Sequence, residues 1–302
     1  MSATFRAMST DVTVIAPTLD DDDELAATRR VAEVFADAEQ RFSRFREDSE
    51  LSRLNRSRAP FVASPALFAA LLRARAHVRS SGGIFDPAIG AALCRAGYDR
   101  SFASHRLDRD APPVPPVRPA RFDEVALDEP TRTVTLPIDL RLDLGGFVKG
   151  LTVDLAASSF AGPIAIDAGG DAVLRGEGPT GDGWEVDVED PRDASRTLLT
   201  LRVRDRAVAT SSPNRRRWRT GPVEQHHLID PRTFEPARSD LVQVTVIARC
   251  AEQADVLAKV AFVLGADAGT RWLEGRPAVG AVLVGREGDV WRVGQTEVAN
   301  DG

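Results

Sequence analysis

Residues 11–16 alternate apolar and polar side chains, with Val12 and Val14 on one face, which predicts a short strand. The period then changes. After the acidic run Asp20 to Asp23, the apolar residues Leu25, Val31, Val34, Phe35, Ala38, Phe42 and Phe45 follow helical spacing and predict one amphipathic helix of about two dozen residues. A second helix starts at Pro65, carries Leu67, Phe68, Leu71, Leu72 and Val78, and stops at the breaker Gly82-Gly83. Alternation at 133–136 and 139–144, on either side of Pro137, predicts two strands. Gly145-Gly146 ends the second, and Val148, Leu151 and Leu155 mark the stripe of a buried helix. Further strands are expected at 163–168, 184–189, 198–203, 208–210 and 243–248, then a helix over 251–264 and a hairpin of 279–284 with 290–293. Strands come in runs between helices rather than in strict alternation, which predicts the α+β class. The proline-rich stretch at about 110–119 is the one low-complexity segment and predicts an extended surface loop.

At 302 residues and 43% hydrophobic composition the chain can build a full core, and it is read as a single domain over 1–302. A net charge of −6 argues against a nucleic-acid partner. Cys94 and Cys250 have no metal-ligand spacing and form no disulfide framework. No apolar run is long enough to span a bilayer, and Met1-Ser-Ala-Thr-Phe-Arg6 has no apolar signal core, so no membrane insertion and a cytoplasmic location are expected. The 39 basic residues include only two lysines, Lys149 and Lys259, both in segments that look chemical. Arginine does not simply replace a compact ammonium where a point charge must reach a phosphate.

Asp143-Leu-Gly-Gly-Phe-Val-Lys149-Gly150 ends a strand and opens a helix. Its glycines allow close backbone approach, and a helix N-terminus favours an anion. The same pattern also suits a simple packed corner. Asp167-Ala-Gly-Gly-Asp171 reads first as a tight turn, and in Gly83-Ile-Phe-Asp86-Pro87 the aspartate is placed to cap the next segment. His226-His227-Leu-Ile-Asp230-Pro-Arg-Thr233 holds two of the four histidines, and adjacent side chains in a strand point to opposite faces, so one of them is expected at a site. Asp255 and Lys259 are four apart on one helix and therefore neighbours.

These segments, in this order, resemble the ApbE family of flavin transferases from about Met8 to Gly265. The carriers are Ala7-Met-Ser-Thr10, Phe42-Ser-Arg-Phe-Arg46 with Asp48-Ser-Glu-Leu-Ser-Arg-Leu-Asn55, Gly83-Ile-Phe-Asp-Pro87, Asp143-Leu-Gly-Gly146 and Lys149-Gly150. They continue with Asp167 to Asp171, Ala209-Thr-Ser211, His227-Leu-Ile-Asp-Pro-Arg-Thr233 and Asp255-Val-Leu-Ala258. The resemblance implies an α+β fold with mixed, largely antiparallel sheets packed by helices. It implies an enzyme that cleaves FAD, attaches FMN to a Thr or Ser of an acceptor flavoprotein and releases AMP. By motif, Met8, Phe45, Ile84, Phe85, Asp86, Asp143, Lys149, Leu228, Ile229 and Ala258 would contact FAD. His227 would accept the hydroxyl proton, and Asp255 with the Gly146 carbonyl would hold Mg²⁺.

Several positions depart from the family pattern. Phe45 stands where tyrosine is common, Ser212 where glycine follows Thr-Ser, and Phe234 where glycine follows Arg-Thr. Lys259 occupies the position of a metal-binding Thr or Ser, and a protonated lysine cannot ligate. Either Mg²⁺ still binds through Asp255, the Gly146 carbonyl, FAD phosphate and water, or the Lys259 ammonium takes its place with Asp255 as counter-ion and catalysis is metal-independent, weak or absent; His227, Asp255 and Lys259 are the candidate catalytic residues. A non-catalytic FAD-binding protein and an FAD pyrophosphatase giving FMN and AMP are the alternatives to a transferase.

Overall fold

The computed structural model describes residues 2–100 and 120–301, so the proline-rich stretch lies outside the described residues. Two compact units emerge: Met1–Ala36, Lys149–Asn214 and Ser239–Gly302 form one, and Asp37–Val148 with Arg215–Arg238 the other. Every strand pair among the described residues is antiparallel.

The first unit is built on an eight-stranded sheet. Its strands follow chain order across the sheet: Ala3–Ala7, Thr10–Ile15, Ile164–Ala168, Asp171–Arg175, Arg206–Ser211, Leu241–Ala248, Gly280–Gly285 and Val290–Val293. Strand alternation divides its apolar residues between two faces. Val12, Val14, Ile164 and Ile166 pack with Val31 and Phe35 of the first long helix and with Val153, Ala156 and Ala157 of the helix Val148–Ser158. On the opposite face Ala165, Leu174, Val208 and Ile247 meet Trp184, Val188, Leu199 and Leu201 from a smaller three-stranded sheet. The helix Ala251–Leu264 has the bounds expected from its periodicity and ends at Gly265, whose φ is +82°. Asp154 caps its start: its two carboxylate oxygens accept from the N–H groups of Ala251 and Glu252 at 2.8 and 2.9 Å. The helix's own N-cap residue, Cys250, makes no side-chain cap bond. Asp154→Ala is therefore expected to cost about 0.5–2 kcal/mol, read as a lower midpoint in urea unfolding.

Gly150 explains the meeting of these two helices. A Cβ there would lie 2.5 Å from the Ala251 carbonyl oxygen, so only glycine lets the backbones approach.

In the second unit Ser49 caps the helix Glu50–Arg56 and Ser64 caps Pro65–Ser80, each through its hydroxyl. The expectation of a helix reaching Phe45 is corrected: the helix is Asp21–Phe42. Beyond it, the Ser43 carbonyl is taken by the Ser49 and Ser52 hydroxyls at 2.5 and 3.3 Å. The expected strand at 139–144 is also corrected. Asp139 has φ +70°, outside strand geometry, and the following backbone pairs with Asn55 and Pro87 instead of another strand. Among the described residues no helix is long and apolar enough to cross a membrane.

Candidate active site

In the first unit two tight turns lie side by side at one end of the large sheet. Met8 and Ser9 join its first two strands with φ of +48° and +61°, and Gly169-Gly170 joins Ile164–Ala168 to Asp171–Arg175 with φ of +63° and +97°. Positive φ at both central residues suits a two-residue hairpin loop, at no steric cost to the glycines and at a cost of about 1–3 kcal/mol each for Met8 and Ser9. The tight-turn reading of Asp167 to Asp171 thus holds, and Asp167 accepts from the Gly170 N–H at 3.0 Å.

Both lysines of the chain belong to this end of the unit. Lys149, in the first turn of Val148–Ser158, donates to the Ala168 carbonyl at 2.7 Å and pairs with Asp171. Lys259 pairs with Asp255 one helical turn earlier. The carboxylates of Asp171 and Asp255 are each 2% exposed, the two lysine side chains 15% and 21%. Burial first, and then the negative charge of Asp171, push the Asp255 carboxyl up to about 6, against the pull of Lys259 and Lys149. Asp255 Oδ2 has no hydrogen-bond partner among the described residues. Thr210 and Thr245, opposite each other on neighbouring strands, share a 2.9 Å hydrogen bond, and Thr210 donates its N–H to the Gly170 carbonyl at 3.1 Å. Ala258, on the same helix as Lys259, is fully buried.

In the second unit Arg44 pairs with Asp143, and its guanidinium lies 4.1 Å from the Phe45 ring centre and 4.7 Å from that of Tyr98. Asp143 also accepts from the Gly145 N–H at 2.7 Å. Phe45, Tyr98 and Trp218 form a row of tilted aromatic contacts with ring centres 5.4 Å apart at each step. Ile84 and Gly146 are half-buried, while Phe85 is buried against His77 and Phe147. Asp86 serves the fold: it caps Pro87–Ile89 through the Ala88 N–H and accepts from the Phe122 N–H. Burial raises its pKa, and those two hydrogen bonds oppose the rise.

The neighbouring histidines differ. His226 Nε2 lies 3.2 Å from the Ala237 carbonyl, and its Nδ1 accepts from the Leu228 N–H, so it is neutral and its proton sits on Nε2. Burial, its largest influence, lowers the pKa of His226 from 6.5. The unfolded chain takes up this proton as pH falls through the ordinary value, and the folded chain resists it. Stability contributed here is present above about pH 6.5 and lost below it. Between about pH 7.5 and about pH 5.5 the Tm is expected to fall, and to fall less in His226→Gln. His227 is half-buried beside the buried pair Leu228 and Ile229, and Asp230 holds the following turn through Arg232. Phe234 has φ +57°, the left-handed conformation glycine favours, and its ring packs with Leu93, Tyr98, Trp218 and Ile229.

A family model described as the ApbE family matches residues 8–283. The chain belongs to the ApbE family. It is similar to the FAD:protein FMN transferase of Treponema pallidum, at 31% identity over 283 residues covering 86% of this chain and 77% of the relative. The Chlamydia trachomatis protein of the same name is 30% identical, with 77% and 74% covered. An ApbE protein from Thermotoga maritima shares the fold, with TM-score 0.84 at 24% identity over 97% of this chain and 96% of that one. The α+β expectation is thereby met. Within this ApbE chain, sequence reasoning passed over Arg44 as a partner of Asp143 and Asp171 as the partner of Lys149. The scarcity of lysine was the usable signal for Asp171, since each of the two lysines carries one buried aspartate.

Proposed function

We propose that this protein is an FAD:protein FMN transferase. The observation that carries this reading is the gathering of the only two lysines, each on a buried aspartate, beside the Gly169-Gly170 turn, in a chain of the ApbE family. Fixed cations in a partly dry setting stabilise charge that grows on a departing phosphate more effectively than water does. The acceptor Thr or Ser oxygen attacks the phosphorus of the FMN half, the P–O bond of the pyrophosphate breaks, and its electron pair leaves with AMP. The hydroxyl proton passes to His227 and then to solvent. Met8 offers half-buried apolar surface to the flavin, and Lys149 offers charge to the phosphates.

The residues at Asp255 do not fit a magnesium ion. Lys259 Nζ lies on Asp255 Oδ1, and an ammonium has no lone pair to give a metal.

The test is to incubate the protein with FAD and an acceptor flavoprotein domain, separate the products on a denaturing gel and quantify AMP. Covalent flavin fluorescence on the acceptor with matching AMP is the expected result. AMP without labelled acceptor would mean hydrolysis, and bound FAD without AMP a binding protein; either overturns the reading.

A further inference from the structure

Asp171 and Asp255 are two carboxylates so deeply buried that each needs a counter-charge, and the chain spends its whole supply of lysine on them. The cluster is balanced, two ammonium groups against two carboxylates. A dication added to it would sit beside two fixed positive charges in a region with little water, where like-charge repulsion is poorly screened. To reach Asp255 Oδ1 it would have to displace Lys259, and the displaced ammonium would stay tethered one helical turn away. What remains is Asp255 Oδ2, a single carboxylate oxygen beside an ammonium, less than the unpaired carboxylates that Mg²⁺ ordinarily takes. Lys259 itself is not sealed in, since about a fifth of its side chain is exposed at 21%, enough for an anion to reach it.

We propose that the Lys259 ammonium is a built-in cation that faces the FAD pyrophosphate in place of a divalent metal, so that this protein binds FAD without one. Asp255 is then a positioning residue. It holds the ammonium in place through a pairing set by their four-residue spacing on one helix. The step proposed above is unchanged in its atoms and electrons; Lys259 offsets charge on the departing phosphate. This inference rests on the FAD reading, but its metal half can be decided without FAD.

The experiment uses the whole protein, wild type and Lys259→Thr, with Lys259→Gln as the second variant should the threonine protein fail to fold. Manganese binding is followed by electron paramagnetic resonance, and FAD binding by flavin fluorescence with Mg²⁺ or with EDTA. Wild type is expected to leave Mn²⁺ free and to bind FAD with a Kd that changes by less than about twofold between Mg²⁺ and EDTA. The variant is expected to take up Mn²⁺ and to lose about tenfold or more in FAD affinity in EDTA, with recovery in Mg²⁺. Stoichiometric Mn²⁺ uptake by wild type, or a loss of about tenfold or more in its FAD affinity in EDTA, overturns the proposal. If wild type binds no FAD in either buffer, the FAD reading fails and the role of Lys259 toward the pyrophosphate fails with it. The Mn²⁺ arm still decides whether Lys259 excludes a metal.

Discussion

Replacing His227 by alanine is expected to slow FMN transfer by about 10²–10⁴-fold, the usual worth of a positioned general base. A Thr or Ser hydroxyl attacks phosphorus only as its proton is removed, so the loss should fall on the transfer step and not on FAD binding. The chain around His227 is tied by hydrogen bonds. Ala237 donates its N–H to the Leu228 carbonyl at 2.8 Å, Phe234 donates to the Asp230 carbonyl at 2.8 Å, and His226 fixes both its ring nitrogens on backbone groups. Single-turnover labelling of an acceptor domain, with an FAD titration alongside, separates the two effects. A rate within about tenfold of wild type would mean that another group takes the proton. His226→Gln is the internal control: it should alter the pH dependence of Tm while leaving the transfer rate near wild type, because His226 is engaged in holding the turn.

The second large effect is on stability. Asp171→Ala leaves Lys149 without its carboxylate in a site where that carboxylate was 2% exposed. Removing one partner of a buried pair costs more than the pair contributed, because the remaining charge is stranded. Lys149 keeps its bond to the Ala168 carbonyl and some exposure, which places the expected loss at about 3 kcal/mol, the low end of that class. Urea unfolding monitored by tryptophan fluorescence measures it. The double variant Lys149→Met with Asp171→Leu should recover most of the loss, because a well-packed apolar pair avoids stranding a charge. A single variant as stable as wild type would show that Lys149 finds a second partner at no cost.

Much of the fold was legible because its signals are local. The acidic start and apolar spacing of Asp21–Phe42, and the continuous pattern of Ala251–Leu264, reflect a helical period that each residue shares with its near neighbours. The Asp255–Lys259 pairing was legible for the same reason: four residues on a helix bring two side chains together wherever the helix lies. Segment 139–144 misled because alternation reports which faces are buried and not who supplies the hydrogen bonds. Here Asn55 and Pro87 supply them, and the positive φ of Asp139 turns the chain away from strand geometry. Asp86 was legible as a cap, and the structure uses it as one. Phe234 was visible as a departure from a glycine position, but only the fold shows a left-handed backbone there with a buried ring to offset it.

The sequence by itself determined the class of fold, the family, the order of the chemical segments and the substitution of lysine at position 259. Tertiary structure decided the rest: that Asp171 meets Lys149, that Arg44 rather than solvent faces Asp143, and that both lysines end on carboxylates removed from water. The physical reason is that periodicity and helix spacing are set by neighbours along the chain. The strength of a charge pair is set instead by the burial that distant segments impose on it.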